Sequence, residues 1–566
     1  MIFKKYTFIL FFIILTLGVF FRVYRLDSLP PSPFSDEVDI GYQAITFGRT
    51  QTDYYGNRFP IFFQSFSDWH TPLAIIPVTI SQKIFGVNVY SLKIPSVIFG
   101  ILTTIAFYFL LKSITKSNIL SLIGFLLINI SPWHIHYSRT NFESVTGMLF
   151  FIILSLYFWH KFIKASSYKN LFFSLACFSV TPYFYSTSKL FLFFIYISLL
   201  IVWKDILLKL NRKKILISFI CSTIFLVPLI YSTLTTNSSV RFSYINIFSD
   251  PTVPKMINYA RWQDAIIDNG DKIGQKPDLI SKIYHNKALE WSGRFLNNYF
   301  QSFSSEFLFI KGDTNLRQGF GNHGYLFYLD LFTIVIGIFY SFKLSKKYSQ
   351  LFLLLLLFAP IPFALTRDSS SAHATRLILM LPSLLYFSSF GLLKILKYSK
   401  IIFYFFIFLY IFQFSTFWHD YLYHYPQISA RYWHTGIKEA ISHANYYENN
   451  YQKIYYSSTY ESMIPFFFYY NQYKSPLTPN APVKTLISEN KDSFTGMQLE
   501  DKYYFGHLEW SRLIKDSKNY QDSLFIVTKM DKEAIDSQTK KIKIIETIKP
   551  RYLESETFYL IIFTNE

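Results

Sequence analysis

Residues 6–37 read YTFILFFIILTLGVFFRVYRLDSLPPSPFSDE, and this stretch decides the fold. An uncharged, largely apolar run from Tyr6 to Phe21 stops at Arg22 and Arg25; prolines follow at Pro30, Pro31 and Pro33, and then two adjacent acids, Asp36 and Glu37. A helix needs roughly 20 mostly apolar residues to cross the hydrocarbon core of a bilayer. Lys4 and Lys5 precede the run as they would in a signal peptide. No small-residue cleavage site follows, and the run ends in Phe20, Phe21 and Arg22, so the reading is a retained membrane helix. An acid pair just beyond such a helix, in a backbone held by prolines, suits a site at the membrane surface or the N-cap of the next helix.

Working outward, ten more stretches have the same character: 91–111, 117–132, 145–161, 170–184, 189–203, 214–231, 325–342, 349–365, 377–394 and 400–417. The expected fold class is an α-helical polytopic membrane protein of about eleven transmembrane helices. Hydrophobic side chains make up 51% of the 566 residues, and 63 Phe with 44 Tyr against 20 Gly suit lipid-facing helices. The formal charge of +19 does not mark a nucleic-acid binder, because the lysines fall in short stretches between apolar runs, where they report topology. Cys177 and Cys221 both lie inside apolar runs, which leaves neither a disulfide framework nor a Cys-ligated zinc site.

Basic residues are retained on the cytoplasmic side of a membrane. The short basic connections are Met1–Lys5, Lys112–Asn118, Lys161–Lys169, Lys204–Lys214, Lys343–Lys347 and Lys394–Lys400. Counting spans places the long segments 24–90 and 232–324 on the other side, and an odd number of helices carries the tail there too. The expectation is a multi-pass plasma-membrane protein with these parts on the external side. Two domains are expected: 1–417 in the membrane and 418–566 as an external α/β domain. In the tail, Ala430–Tyr447 has helical periodicity, and Lys453–Ser457, Ser523–Thr528, Lys541–Thr547 and Thr557–Phe563 read as strands.

The polar residues gather in the long loops. The first holds Asp53-Tyr54-Tyr55-Gly56-Asn57 and then Asp68-Trp69-His70-Thr71-Pro72; Asp68 and His70 are the candidate ligands for a divalent metal, with hydrogen bonding the better-supported role. The next holds His134, His136, Arg139 and Glu143; Arg139 and Glu143 stand four residues apart, as an ion pair or a substrate path would place them. Arg367, His373 and Arg376 precede the tenth stretch on the side where basic residues are disfavoured, as does Lys189 after the fifth. They suit an anionic group at the bilayer surface, or a lipid headgroup.

Taken in order, these residues resemble the GT-C membrane glycosyltransferases that use polyprenyl- or dolichyl-phosphate sugars, nearest the protein O-mannosyltransferases and the lipid A aminoarabinose transferase. The resemblance runs from Asp36-Glu37 through Asp53–Pro60, His70-Thr71-Pro72-Leu73, Pro132-Trp133-His134, Ser138-Arg139 and Glu143. It continues through Asn298-Tyr299-Phe300, Phe307-Leu308-Phe309, Gly312-Asp313 and Ala359–Pro362, and ends at Leu365-Thr366, His373-Ala374 and Arg376. It implies a helix bundle with surface helices in the first loop, Asp36 as catalytic base beside Glu37, and Glu143 orienting a substrate. Asp68 and His70 depart from the patterns of both groups, which leaves metal use open. The implied partners are a polyprenyl-phosphate sugar donor, a protein, glycolipid or polysaccharide acceptor, and membrane lipid. A transporter or flippase of a lipid-linked or anionic solute is the alternative; it would place ionisable residues at mid-bilayer and match two halves of the chain, and neither pattern is present in the sequence.

Overall fold

The computed structural model describes residues 2–564 apart from 67–68, 143, 236–243, 270–275, 368–371, 474–482, 487–492, 539–541 and 554–556. The chain forms two compact units: Met1–Phe21, Phe99–His136 and Val145–Phe417 in one, and Arg22–Ile98, Tyr137–Ser144 and Trp418–Glu566 in the other. The second unit takes in 22–98 and 137–144 together with the tail from Trp418.

Among the described residues, eight helices are long and apolar enough to cross a membrane, including Tyr6–Val23, Val89–Thr115, Val145–Ala165 and Lys400–Tyr423. The helices Asn118–Ile130 and Pro132–Ser138, bent by 59° where Pro132 interrupts the hydrogen-bond ladder, make a ninth if taken as one span. Two of the eleven expected stretches form shorter helices, Tyr168–Val180 of 13 residues and Tyr328–Leu344 of 17. At 1.5 Å per residue they reach only about 20 and 26 Å, short of a ~30 Å core. Tyr328–Leu344 packs on Leu381–Tyr398 at glycines: a Cβ on Gly337 would strike the Phe387 carbonyl, and one on Gly391 the Thr333 carbonyl. Such close backbone approach is how helices associate where lipid offers no hydrophobic drive.

The second unit holds a seven-stranded mixed sheet. From edge to edge its strands are Val483–Leu486, Phe494–Leu499, Tyr503–Leu508, Lys453–Ser457, Ser523–Thr528, Phe558–Phe563 and Ile542–Ile548. The central three run parallel, and the remaining neighbours pair antiparallel. All six residues of Ser523–Thr528 are buried, as a strand covered on both faces requires. One face, with Tyr455, Phe525 and Val527, packs on Trp510, Leu513 and Ile535. The opposite face, with Ile454, Tyr456 and Leu524, shares its core with the Ile437–Tyr447 and Ile464–Tyr470 helices and with Val38, Tyr42 and Ile45. Those last three lie on the Ser35–Thr50 helix, one of two surface helices in the first loop; the other is Pro72–Phe85. The first loop is therefore built into the core of the unit that carries the sheet.

Candidate active site

The Ser35–Thr50 helix begins at Phe34, whose ring is anchored against Phe142 and Trp433. Glu37, in the first turn, is fully buried. Its Oε2 accepts the Phe34 N–H at 3.4 Å, which caps the helix, and its Oε1 accepts the Asn141 N–H at 2.6 Å. Asp36, one residue earlier in the same turn, is exposed. A carboxylate at either position is favoured by the positive end of the helix dipole, but only Asp36 has solvent access. Burial pushes the Glu37 carboxyl above the usual range, opposed by the Lys93 ammonium and by the two backbone amides. Lys93 is itself fully buried, and its Nζ donates to the Leu26 carbonyl at 3.4 Å.

Arg139 is also fully buried. Its Nη2 donates to the carbonyls of Tyr24, Arg25 and Leu29 at 2.8, 3.2 and 3.1 Å, fastening the turn that leads to Pro30. Its guanidinium lies 6.0 Å from the ring of Trp418 and 5.7 Å from that of Tyr421. Burial lowers its pKa. Beneath it, Arg22 Nε donates to Ser138 Oγ at 3.2 Å.

His70, at the end of a short antiparallel pairing of Phe63–Gln64 with Trp69–His70, is buried and has Nε2 2.6 Å from Asp39 Oδ2. Tyr54 donates its hydroxyl to the other Asp39 oxygen at 3.1 Å. Asp53 is a turn staple: its oxygens accept the N–H groups of Tyr55, Asn57 and Gln64. Gly56, inside that turn, has φ of 88°, which a residue without Cβ adopts at no steric cost.

The first unit brings a second set together. Asp313 Oδ1 accepts the Asn315 N–H at 2.9 Å and its Oδ2 accepts the Ala374 N–H at 3.0 Å, so one carboxylate ties two loops. The tie places Gln318 Nε2 3.4 Å from His373 Nε2, and His136 Nε2 lies 2.7 Å from the Arg317 carbonyl. Arg376, on the turn that starts at His373, donates from Nη1 to Thr366 Oγ1 at 3.0 Å; the Thr366 carbonyl accepts from Asn298 Nδ2 at 2.8 Å. Arg317, His373 and Arg376 are half-buried, Arg367 is exposed, and Lys189 is half-buried in the first turn of the Ser188–Leu207 helix.

Asp36, Glu37, His70 and Arg139 thus fall in one unit, and Lys189, Arg367, His373 and Arg376 in the other. Asp68 and Glu143 lie outside the described residues. The sequence reading passed over Lys93, Asp39 and Arg317. A lysine on the expected external end of an apolar membrane helix, Val89–Thr115, where basic residues are disfavoured, is the available signal for Lys93. Asp39 stands three residues after Asp36, one turn further along the same helix, and only its buried meeting with His70 distinguishes it.

Residues 69–231 match the model of a family described as dolichyl-phosphate-mannose-protein mannosyltransferase. The match begins at Trp69 and leaves Asp36 and Glu37 outside it. An uncharacterized protein of Aquifex aeolicus (strain VF5) is 34% identical over 91 residues, 16% of this chain and 18% of that protein. The chain therefore spans about a fifth of that relative. The structure of ArnT from Cupriavidus metallidurans bound to undecaprenyl phosphate is similar over 98% of both chains, at 9% identity and a TM-score of 0.50. The fold is accordingly GT-C-like, with a C-terminal sheet domain. Archaeal oligosaccharyltransferase AglB from Archaeoglobus fulgidus, in complex with an inhibitory peptide and a dolichol-phosphate, matches at 11% identity and a TM-score of 0.47, over 82% of this chain and 63% of that one.

Proposed function

We propose that the chain is a membrane glycosyltransferase that moves a sugar from a polyprenyl-phosphate carrier to an acceptor on the external face of the membrane, with Asp36 as general base. The observation that carries the proposal is the division of labour in one helical turn: Glu37 buried and fastened by two amides, Asp36 beside it open to solvent. The family match over 69–231 supports the reaction class. The undecaprenyl phosphate of the similar ArnT structure agrees with a polyprenyl carrier. The external assignment rests on the alternation of short basic and long polar connections. It also has a chemical reason: a donor carried across the membrane on a lipid is what a transferase needs where nucleotide sugars are absent.

In this mechanism Asp36 takes the proton of an acceptor hydroxyl as that oxygen attacks the anomeric carbon. The bond from that carbon to the phosphate oxygen breaks with its electron pair, so polyprenyl phosphate leaves as an anion and the configuration inverts. Glu37 and Lys93 are positioning residues that fix the turn on which Asp36 stands. Cations stabilise the leaving phosphate electrostatically, and the sequence offers Lys189, Arg367 and Arg376 for that part. His70 lies at hydrogen-bond distance from Asp39, an arrangement that also orients a metal-ligating histidine.

The test is single-turnover sugar transfer from a panel of radiolabelled polyprenyl-phosphate sugars to membrane extract. Asp36→Asn lowers the rate by about 10²- to 10⁴-fold, the usual share of general-base catalysis, and leaves donor binding intact. Full activity in that variant would remove Asp36 from the chemistry. If the wild-type protein consumes no donor in the panel, the transport alternative takes precedence.

A further inference from the structure

The Lys400–Tyr423 helix ends in Trp418-His419-Asp420-Tyr421-Leu422-Tyr423 and is followed by His424, and the mechanism above uses neither imidazole. His419 Nδ1 lies 3.6 Å from Asp420 Oδ1, and His424 Nε2 lies 3.8 Å from the same oxygen. The three candidate donor atoms fall within 4.8 Å of one another, and the two rings are 5.3 Å apart at their centroids. These separations exceed hydrogen-bond distance. They approach the edges of a cation's coordination shell, since ligand atoms bound tetrahedrally at 2.0–2.2 Å lie about 3.3–3.6 Å apart.

Three further observations favour a cation. Two imidazoles with one carboxylate form a donor set suited to divalent first-row transition metals, with water completing the shell. The group also sits at the C-terminal end of a helix, where unsatisfied carbonyls and the dipole attract positive charge. Both histidines are well exposed, at 60% and 55% of their side-chain surface, so small rotamer adjustments can close the remaining gap. We propose that His419, Asp420 and His424 bind a divalent transition cation, Zn²⁺ foremost. The ion would pin the turn at which this helix gives way to the short Tyr425–Ser429 helix.

The experiment titrates Zn²⁺ into the tag-free, full-length protein in detergent after EDTA treatment and dialysis, with calorimetry as the readout. One equivalent binds the wild-type chain. The double variant His419→Gln/His424→Gln loses at least about 100-fold in affinity, and Asp420→Asn loses about 10- to 100-fold, no less than the loss of an outer-shell partner costs. His70→Gln binds as the wild type does, which separates this cluster from the histidine of the first loop. Because both histidines are exposed, the double variant is expected to elute as the wild type does in gel filtration. Failure of the wild-type chain to bind, or unchanged binding in the double variant, would overturn the proposal.

Discussion

Two helices of this chain start with the same device. At Phe34-Ser35-Asp36-Glu37 and at Phe327-Tyr328-Leu329-Asp330, a buried acid three residues past a phenylalanine accepts that phenylalanine's N–H, at 3.4 Å and 3.0 Å. Both carboxylates are buried, and each needs compensation for its lost hydration. Glu37 obtains it from the Asn141 amide and the Lys93 ammonium. Asp330 obtains it from the hydroxyls of Ser388 and Tyr410, each 2.8 Å from Oδ1. The residue before the acid differs too: exposed Asp36 in the first case, buried Leu329 in the second. A buried, capped carboxylate is therefore a structural part in both places. The first helix start becomes a candidate site because it also holds up a solvent-facing carboxylate.

The largest effect that would sharpen this contrast comes from removing the cation. Lys93→Met keeps the stem and deletes the ammonium, leaving Glu37 buried without its opposite charge. Losing the attraction that Lys93 exerts on Glu37, together with its hydrogen bond to the Leu26 carbonyl, costs about 3 kcal/mol, measurable by SDS titration of the detergent-solubilised protein. The carboxyl is already pushed up by burial, so uptake of a proton by Glu37 relieves the variant. The deficit is accordingly smaller at about pH 5 than at about pH 8, nearer the ordinary glutamate range. An undiminished stability in Lys93→Met would mean that the ammonium does not hold Glu37.

Asp330→Asn tests the other start. The amide oxygen still accepts hydrogen bonds, but the charge that strengthened three of them is gone, at a cost of about 1.5–3 kcal/mol. Because the residue before Asp330 is the buried Leu329, the rate of the proposed sugar transfer is unchanged once the comparison is made on folded protein. A variant with intact stability and lost turnover would place Asp330 in the chemistry and dissolve the contrast.

The two helix starts were not equally legible in the sequence. Asp36 and Glu37 stood out because they end a proline-rich turn beyond an apolar helix, whereas Asp330 lay inside an apolar stretch read as a span from 325 to 342. There Tyr325, Leu326 and Phe327 add hydropathy but lie outside the helix, which begins only at Tyr328. The 170–184 stretch misled in the same way at its far end, where Pro182 turns the last residues into a 3₁₀ segment. In the tail, Lys453–Ser457 and Ser523–Thr528 were readable from their buried apolar runs. Phe494–Leu499 and Tyr503–Leu508 were not, because Gly496 and Gly506 face each other in the register and dilute both patterns. The placement of 22–98 with the sheet was beyond local pattern, since it depends on Val38, Tyr42 and Ile45 sharing a core with strands more than 400 residues away. Lys93 is hidden for a related reason: a lysine near the start of a long apolar helix reads as an interfacial anchor until its burial and its influence on Glu37 are seen.

The smallest effect belongs to Tyr410→Phe, and it is the most discriminating about how Asp330 is held. The substitution deletes one donor to Oδ1, but Ser388 Oγ still donates to that oxygen at 2.8 Å and the Phe327 N–H to Oδ2 at 3.0 Å. Thr333, which lies 3.1 Å from the lost hydroxyl, retains carbonyl acceptors at Leu329 and Asp330. No polar group is orphaned, so the expected loss is that of one hydrogen bond, about 0.5–1.5 kcal/mol. Adding Ser388→Ala strips the oxygen of its second hydroxyl, and the double variant loses more than the sum of the two single ones, because the carboxylate is then left with only its backbone donor. Additive behaviour would show that Asp330 does not depend on the hydroxyl pair, and the parallel with the amide and ammonium that hold Glu37 would fail.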